Sequence, residues 1–420
     1  MQVETSGLQF ERIESGRLVD GTARPHAPRP TASKQAGASL ASMPVLVAEI
    51  LSAREIPAIE ADWRLLESRT LEPNPFHASD FVLAACQHFR EFAAPHFVAV
   101  WNHAASSQGR RLVGLLPFQK PRQSWAGTVL RGWSHPFIAF SAPLIDRADP
   151  DAVLTAALDH LDRQFPDMTA ACLSGLAADG PIAAAFARVA VARDTNMSTL
   201  AQYERGALST GHLKSAKHAA RAKKLRQHRR RLSEIGALTL SVAATYADIR
   251  NAAENFLVLE AKGWKGIRGS ALVQDPDTSN FVRTMLWSAA RQDRVRIASL
   301  AIEGQTIASV IMLTAGDHGY LWKIAYDEAF AKFSPGVLLI EEFSQHILTE
   351  NTLAVVDSCT EPGNVMIEGL WSGRIALCDL MIGLGEGRTP RFLASLARER
   401  LQRRMRDKVK SVYRRLRGHE

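Results

Sequence analysis

Cysteine is scarce in this chain: Cys86, Cys172, Cys359 and Cys378 are the four in 420 residues, widely scattered, with no CxxC pair and no histidine at ligand spacing beside them. That excludes a disulfide-stapled scaffold and a structural zinc site. Reduced, mostly buried thiols in a reducing compartment are expected. Long apolar runs are also missing. None approaches the ~18 residues that a membrane-spanning helix needs. The opening residues lack the positive patch and apolar stretch of a secretory signal, so a cytoplasmic location is expected. A generally basic surface is absent too. The net charge is +8, but the positive residues concentrate in two stretches, Lys214 to Arg231 and Arg391 to Arg417. The rest of the chain is roughly neutral or slightly acidic, which argues against a nucleic-acid-like surface overall.

What is present is ordinary globular material, 46% hydrophobic and 22% charged, long enough for two or three domains. Residues 1–43 mix Gly, Ala, Ser and Pro without periodicity and read as a disordered arm. A βαβ-flavoured unit follows, with helical patterns near 45–51, 81–92 and 152–165 and strands at 96–101, 112–118 and 169–173. It ends near Tyr203. The second half opens with a basic helix over about 212–235, stopped by Gly236. Strand 238–242, helices 246–262 and 278–291, and strands 295–302, 306–313 and 320–326 come next. The turns Glu303-Gly304-Gln305 and Gly316-Asp317-His318-Gly319 make those three strands an antiparallel meander. Helix 336–349 and strands 353–358 and 375–382 complete the set.

Strict alternation along the strand from Tyr320 places Tyr320, Trp322, Ile324 and Tyr326 on one face and Leu321, Lys323, Ala325 and Asp327 on the other. A Lys and an Asp on one face of an apolar central strand are costly if buried, unless paired or used. Lys323 and Asp327 are thus candidates for substrate contact or proton transfer, about 13 Å apart along an extended strand. The blander alternative is that Asp327 caps the next loop while Lys323 snorkels to the surface.

The string Tyr320-Leu321-Trp322-Lys323-Ile324-Ala325-Tyr326-Asp327, followed by Phe333-Ser334-Pro335-Gly336-Val337-Leu338-Leu339, resembles the core of the CelD-like and FemAB-like GNAT acyltransferases. The basic run ending Arg230-Arg231-Leu232-Ser233-Glu234-Ile235-Gly236 and the segment with Trp264-Lys265-Gly266 are similar to that family too. The resemblance implies an α/β chain of the GNAT fold, with two tandem GNAT-like domains around mixed sheets. Residues 44–205 would be a degenerate first copy, 206–387 the acyltransferase domain, and 388–420 a basic helical tail. It also implies acetyl-CoA or another acyl-CoA as donor. The acceptor would be an amine or hydroxyl, on a sugar of an envelope or secreted polysaccharide.

Such an enzyme must hold a pyrophosphate, present a thioester and remove a proton from the nucleophile. Pro335 and Gly336 at the first turn of a helix leave backbone N–H groups for phosphates. Ser334, Pro335, Gly336, Val337 and Leu338 are therefore the expected donor site, with Lys332 beside them; a plain strand-to-helix turn is the alternative. Glu260 or Asp327 is the expected base, and Tyr326 or Tyr320 the donor to the leaving thiolate. Trp264, Lys265, Lys323, Asp357, Glu361 and Asn364 are expected around the acceptor, although Glu260 would also serve as a surface partner for a nearby cation. Family members often carry a Tyr-Lys pair where this chain reads Val365-Met366-Ile367-Glu368, which leaves the acceptor open. Cys359 has no histidine placed to activate it as a nucleophile.

The tail carries eleven Lys and Arg against Glu399 and Asp407. Its apolar residues Leu393, Ala397, Leu401, Met405, Val409, Val412 and Leu416 recur at three and four on a helix roughly 40 Å long. That pattern suits a membrane surface or a synthase partner, or a stripe packed on the body. The stretch from Lys214 steers an anionic donor or acceptor, or is a solvated face. Two rival functions stay open: transfer from aminoacyl-tRNA in the FemAB-like manner, with the basic stretches on the RNA backbone, and a non-catalytic GNAT scaffold for a membrane synthase. Nucleic acid is not the expected partner.

Overall fold

The apolar run at 45–51 resembles the start of a helix, yet it forms a strand, β1 (Leu46–Leu51), paired antiparallel along its whole length with β2 (His96–Asn102). Six residues are too few for periodicity to separate helix from strand, and pairing with a neighbour decides the outcome. The computed structural model describes residues 45–89, 95–103, 109–119, 128–209, 216–385 and 390–417. The arm at 1–43 lies outside the described residues.

The first half continues with α1 (Glu60–Glu67), α2 (Ser79–His88), β3 (Arg111–Gln119), β4 (Thr128–Gly132), β5 (Leu144–Ile145), α3 (Pro150–Gln164), β6 (Met168–Ala177), α4 (Pro181–Ala192) and β7 (Met197–Leu208). The second holds α5 (Ala216–Ser233), β8 (Leu238–Ala243), α6 (Tyr246–Lys262), α7 (Trp264–Ile267), α8 (Pro276–Arg291), β9 (Val295–Ile302), β10 (Gln305–Ala315), β11 (His318–Tyr326), α9 (Pro335–Glu350), β12 (Val355–Asp357), α10 (Val365–Glu368), β13 (Gly373–Gly383) and α11 (Pro390–Arg417). Local chemistry sets many of the helix starts. Asp149 and Asp275 each precede a proline and accept a backbone N–H three residues on, while Thr245 does the same for α6. Each cap satisfies a first-turn donor that would otherwise have no partner.

The 13 strands of the described residues form one mixed sheet in the order β1-β2-β3-β4-β6-β13-β7-β12-β11-β10-β9-β8, with β5 on β3. The two halves of the chain therefore share one sheet. β13, late in the sequence, inserts between β6 and β7, and β12 joins β7 to β11. One apolar cluster packs α6 and α8, through Phe256, Leu257, Phe281 and Met285, against one face of β9–β11, and it extends over the first half. A second packs α5 and α9, through Leu225, Leu339 and Phe343, on the opposite face. A third, smaller cluster seats Phe392 and Leu396 of α11 on Ala170, Cys172 and Met381.

Candidate functional site

Strand β11 does not alternate as its sequence suggests. Ile311 of β10 pairs with Lys323 and Met312 with Leu321, so Trp322 is the extra residue of a β-bulge. Tyr320, Trp322 and Ala325 then belong to the α6/α8 face, and Leu321 and Ile324 to the α5/α9 face. Lys323 joins Trp322 on the first face, its Nζ 4.5 Å from the Phe137 ring centroid. This corrects the strict alternation: Tyr320 and Tyr326 do not share a side.

The same strand has a short ladder on its other edge. β12 runs parallel to it only through His318–Val355, Gly319–Val356 and Tyr320–Asp357. Beyond Tyr320 the edge of β11 is left without that partner, and α9 begins alongside it. A Cβ built on Gly336 would lie 3.5 Å from both Ile324 Cδ1 and Tyr326 Cδ1, so the first turn of α9 rests directly on the strand. Ser334 enters the helix with left-handed φ and makes no capping bond with its side chain, and Pro335 follows at the first position. The Ser334 carbonyl accepts the N–H groups of Val337 and Leu338. Lys332 is exposed, 5.0 Å from the Phe333 ring. Helix α5 lies against this turn. His228 Nδ1 donates to the Phe333 carbonyl and Arg229 to Glu342, while Lys223, Lys224, Arg226 and Arg230 remain exposed.

Of the two expected bases, neither carboxylate is unengaged. Glu260 is 4% exposed, and its two oxygens accept from Lys265 Nζ at 2.6 Å and from the Leu272 N–H at 2.9 Å. It ties the end of α6 to the turn that follows. That turn is the short helix α7, not an open loop, and only glycine fits at 266, where a Cβ would sit 1.7 Å from the Ala261 carbonyl oxygen. Asp327 accepts the Ala329 N–H at 2.9 Å and caps the next 3-10 turn. Tyr320 donates its hydroxyl to the Pro73 carbonyl, and burial pushes its phenol well above the ordinary range. Tyr326 is more than a third exposed.

Lys323 differs from all of these. Burial, reinforced by the nearby Lys265 ammonium and opposed by Glu260, brings its pKa down to about 8. His135, close by, is lowered to about 4 by burial and then by Lys323. Aromatic rings, Phe137 and Trp322, flank the amine. A lysine held this way changes charge near neutral pH, and its neutral form is a proton acceptor.

The other candidates are dispersed. Trp264 is exposed, its backbone N–H on Glu328 and its ring under Arg268. Lys265 also approaches the Ile324 carbonyl at 3.4 Å, which brings it to β11 beside Lys323. Asp357 is buried in an ion pair with Arg205 and accepts the Cys359 N–H. Asn364 caps α10, and Glu361 stands exposed in the loop before it. Burial drives the Cys359 thiol well above its usual range, which keeps it from acting as a thiolate. Sequence reasoning missed His135 and Arg205. No local pattern marks either, because their partners come from distant strands. Among the described residues no cluster of side chains suits a metal ion.

Comparison with known proteins bears on the fold that holds these residues. Residues 219–363 match the family model described as an acetyltransferase (GNAT) domain. That segment includes Glu260, Lys323, Asp327, the start of α9, Asp357 and Glu361. Among solved structures, FemX is similar with a TM-score of 0.51 at 9% identity, over 77% of this chain and 95% of that one. A conserved protein of unknown function from Bacteroides thetaiotaomicron VPI-5482 gives 0.50 at 13%, over 78% and 97%. At such identities the likeness is one of fold. No curated protein matches the chain in sequence. The matched segment, about a third of the chain, is thus similar to a GNAT acetyltransferase domain.

Proposed function

We propose that the enzyme takes an acetyl or longer acyl group from an acyl-CoA bound at residues 334–338 and passes it to an amine or hydroxyl, with Lys323 as the proton acceptor. The observation that carries this reading is the position of Lys323. It lies at the bulge of β11, largely buried and with its pKa near 8, on the strand whose free edge faces the start of α9. The pyrophosphate would rest at the positive end of α9 on the Gly336 N–H, and the exposed cations of α5 would draw the anionic donor in. The acceptor's nitrogen or oxygen attacks the thioester carbonyl, its proton moves to neutral Lys323, and the carbon–sulfur bond breaks as the thiolate leaves. A thiol pKa of about 8.5 makes that leaving group stable enough to need no strong acid.

In this reading Glu260 positions Lys265 and Asp327 shapes the turn, so the two carboxylates support the site. A polysaccharide sugar remains the acceptor that the CelD-like resemblance favours. Transfer from aminoacyl-tRNA is the competing scheme, favoured by the exposed cations of α5. Isothermal titration separates them: acetyl-CoA should bind and aminoacyl-tRNA should not, and the reverse result overturns the donor assignment.

A peripheral membrane contact through α11 belongs to the same proposal. Leu393, Leu401, Met405 and Val409 are 59–68% exposed beside Arg404, Arg406 and Lys408, while Phe392 and Leu396 hold the helix on the sheet. The side chains of Val412 and Leu416 lie outside the described residues. Among the described residues no helix is long and apolar enough to cross a membrane.

A further inference from the structure

Helix α11 covers a face of the sheet built by four neighbouring strands: β4 supplies Arg131, β6 Cys172, β13 Asp379, and β7 Tyr203 and Arg205. Arginines paired with buried carboxylates hold this face together. Arg131 meets Glu399 and Arg403 meets Asp379, each joining helix to sheet, while Arg205 meets Asp357 within it. Arg400 donates to the Ser198 hydroxyl at 3.1 Å. Beside the helix lies a cleft of about 1710 Å³, lined among others by Arg131, Arg205, Arg400, Arg403, Arg404 and Arg406, against the acids Asp379 and Glu361.

Two of the lining arginines carry a donor with nothing to donate to. The Nε atoms of Arg205, which is 4% exposed, and of Arg403 are buried and have no hydrogen-bond partner. An unmet buried donor is costly, more so on a charged group. An anion in the cleft would face the guanidinium groups of both residues together with the exposed Arg404 and Arg406. Planar guanidinium forks match phosphate oxygens in pairs. The volume exceeds that of a typical small-ligand pocket, roughly 300–1,000 Å³, so an extended ligand fits.

The cleft also adjoins the candidate catalytic site. His135 lines it, and the same segment carries Phe137, whose ring lies beneath Lys323 and whose carbonyl accepts from Trp322. Deeper in, Arg205 lies 5.7 Å from the Phe140 ring, which packs on Tyr320 of β11. We infer that this cleft is the acceptor site and that it grips a phosphate or pyrophosphate carried by the acceptor, leaving the nucleophile to pass His135 toward Lys323. This inference rests on the acyltransferase reading above and names the acceptor's chemical class, which the resemblance leaves open.

Inorganic pyrophosphate is the probe. Titrated into the full chain, it should bind, and it should still bind when acetyl-CoA is saturating. The double variant Arg400→Gln/Arg404→Gln alters two exposed side chains. It should weaken pyrophosphate binding at least tenfold and leave acetyl-CoA affinity unchanged. Arg205→Lys, which keeps the charge and loses the Nε donor, should weaken it as well, with unchanged acetyl-CoA affinity as the check on folding. Complete displacement by acetyl-CoA, or equal pyrophosphate affinity in wild type and both variants, overturns the inference. Absence of acetyl-CoA binding with intact pyrophosphate binding overturns the donor assignment instead. A soluble nucleoside diphosphate and vesicles containing phosphatidic acid are then offered as competitors. Displacement by the first identifies a soluble acceptor and by the second a lipid-linked one, while displacement by neither counts against the site.

Discussion

Lys323 and Arg205 are both cations taken out of water on the same sheet, and they behave in opposite ways. Around Lys323 the neighbours are aromatic rings and a second ammonium, so burial dominates and the pKa falls to about 8. Burial also works against the charge of Arg205, but the Asp357 carboxylate outweighs it and holds the guanidinium above its ordinary range. A cation buried without a carboxylate of its own becomes proton-labile, which suits chemistry. One buried with a partner becomes a fixed charge, which suits binding. The two regions of the molecule divide along that line, with β11 on one side and the face under α11 on the other.

The largest expected effect comes from removing the labile cation. Lys323→Met should lower turnover about 10²- to 10⁴-fold with acetyl-CoA affinity kept, and Lys323→Arg should do the same, since a guanidinium stays charged. In the wild type, kcat/KM should rise with pH through a limb near 8. The unfolded chain keeps the proton of Lys323 up to its ordinary value of about 10.5, so between those two values it binds more protons than the folded one. Stability should therefore rise with pH across that window, and thermal melts of Lys323→Met should lose that slope. Glu260→Gln sharpens the contrast between base and positioning residue. Because Glu260 raises the pKa of Lys323, its loss should move the limb to lower pH. A lost limb in this variant would make Glu260 the base.

Breaking the fixed pair should act on stability. Asp357→Asn leaves Arg205 buried without its counter-charge and should cost about 3–5 kcal/mol in chemical denaturation. A cost near zero would mean that the pair is not what holds this face. A smaller effect is expected at Gly336. Ordinary contact awaits a Cβ there, so Gly336→Ala should fold normally. The branched side chain of Gly336→Val should crowd the phosphates and raise the acetyl-CoA Kd about tenfold, or 1.4 kcal/mol. Smallest in stability is the double variant Leu401→Gln/Val409→Gln, whose residues are mostly exposed. Its denaturation midpoint should stay within about 0.5 kcal/mol of wild type. Binding to anionic vesicles at low salt should nevertheless drop, since each apolar residue that enters the interface adds to membrane affinity. Unchanged sedimentation would remove the membrane role.

Much of the second half was legible in advance because its signals are local. Asp275-Pro276 and Thr245 announce helices by capping, the meander turns contain glycine, and the apolar stripes of α8 and α9 repeat at helical spacing. The start of α9 could be located in advance, as the expected donor site, because Ser334-Pro335-Gly336 is itself a local pattern. The face of Lys323 could not be placed. A bulge shifts the period by one residue and moves a side chain across the sheet, and nothing in Tyr320-Leu321-Trp322-Lys323 marks where it falls. β1 was misjudged for a related reason, since six apolar residues carry no reliable period of their own.

The sequence by itself determined the long helices and the meander of the second half and the presence of two cationic segments, since these depend on neighbours within a few positions. Tertiary structure alone decided which charges are buried together. Arg205 and Asp357 are 152 residues apart, and Arg131 and Glu399 are 268 apart. They meet because β13 inserts between β6 and β7, β12 joins β7, and α11 returns across that face. Desolvation and pairing set the pKa of a cation, and both depend on which distant strands the fold brings beside it.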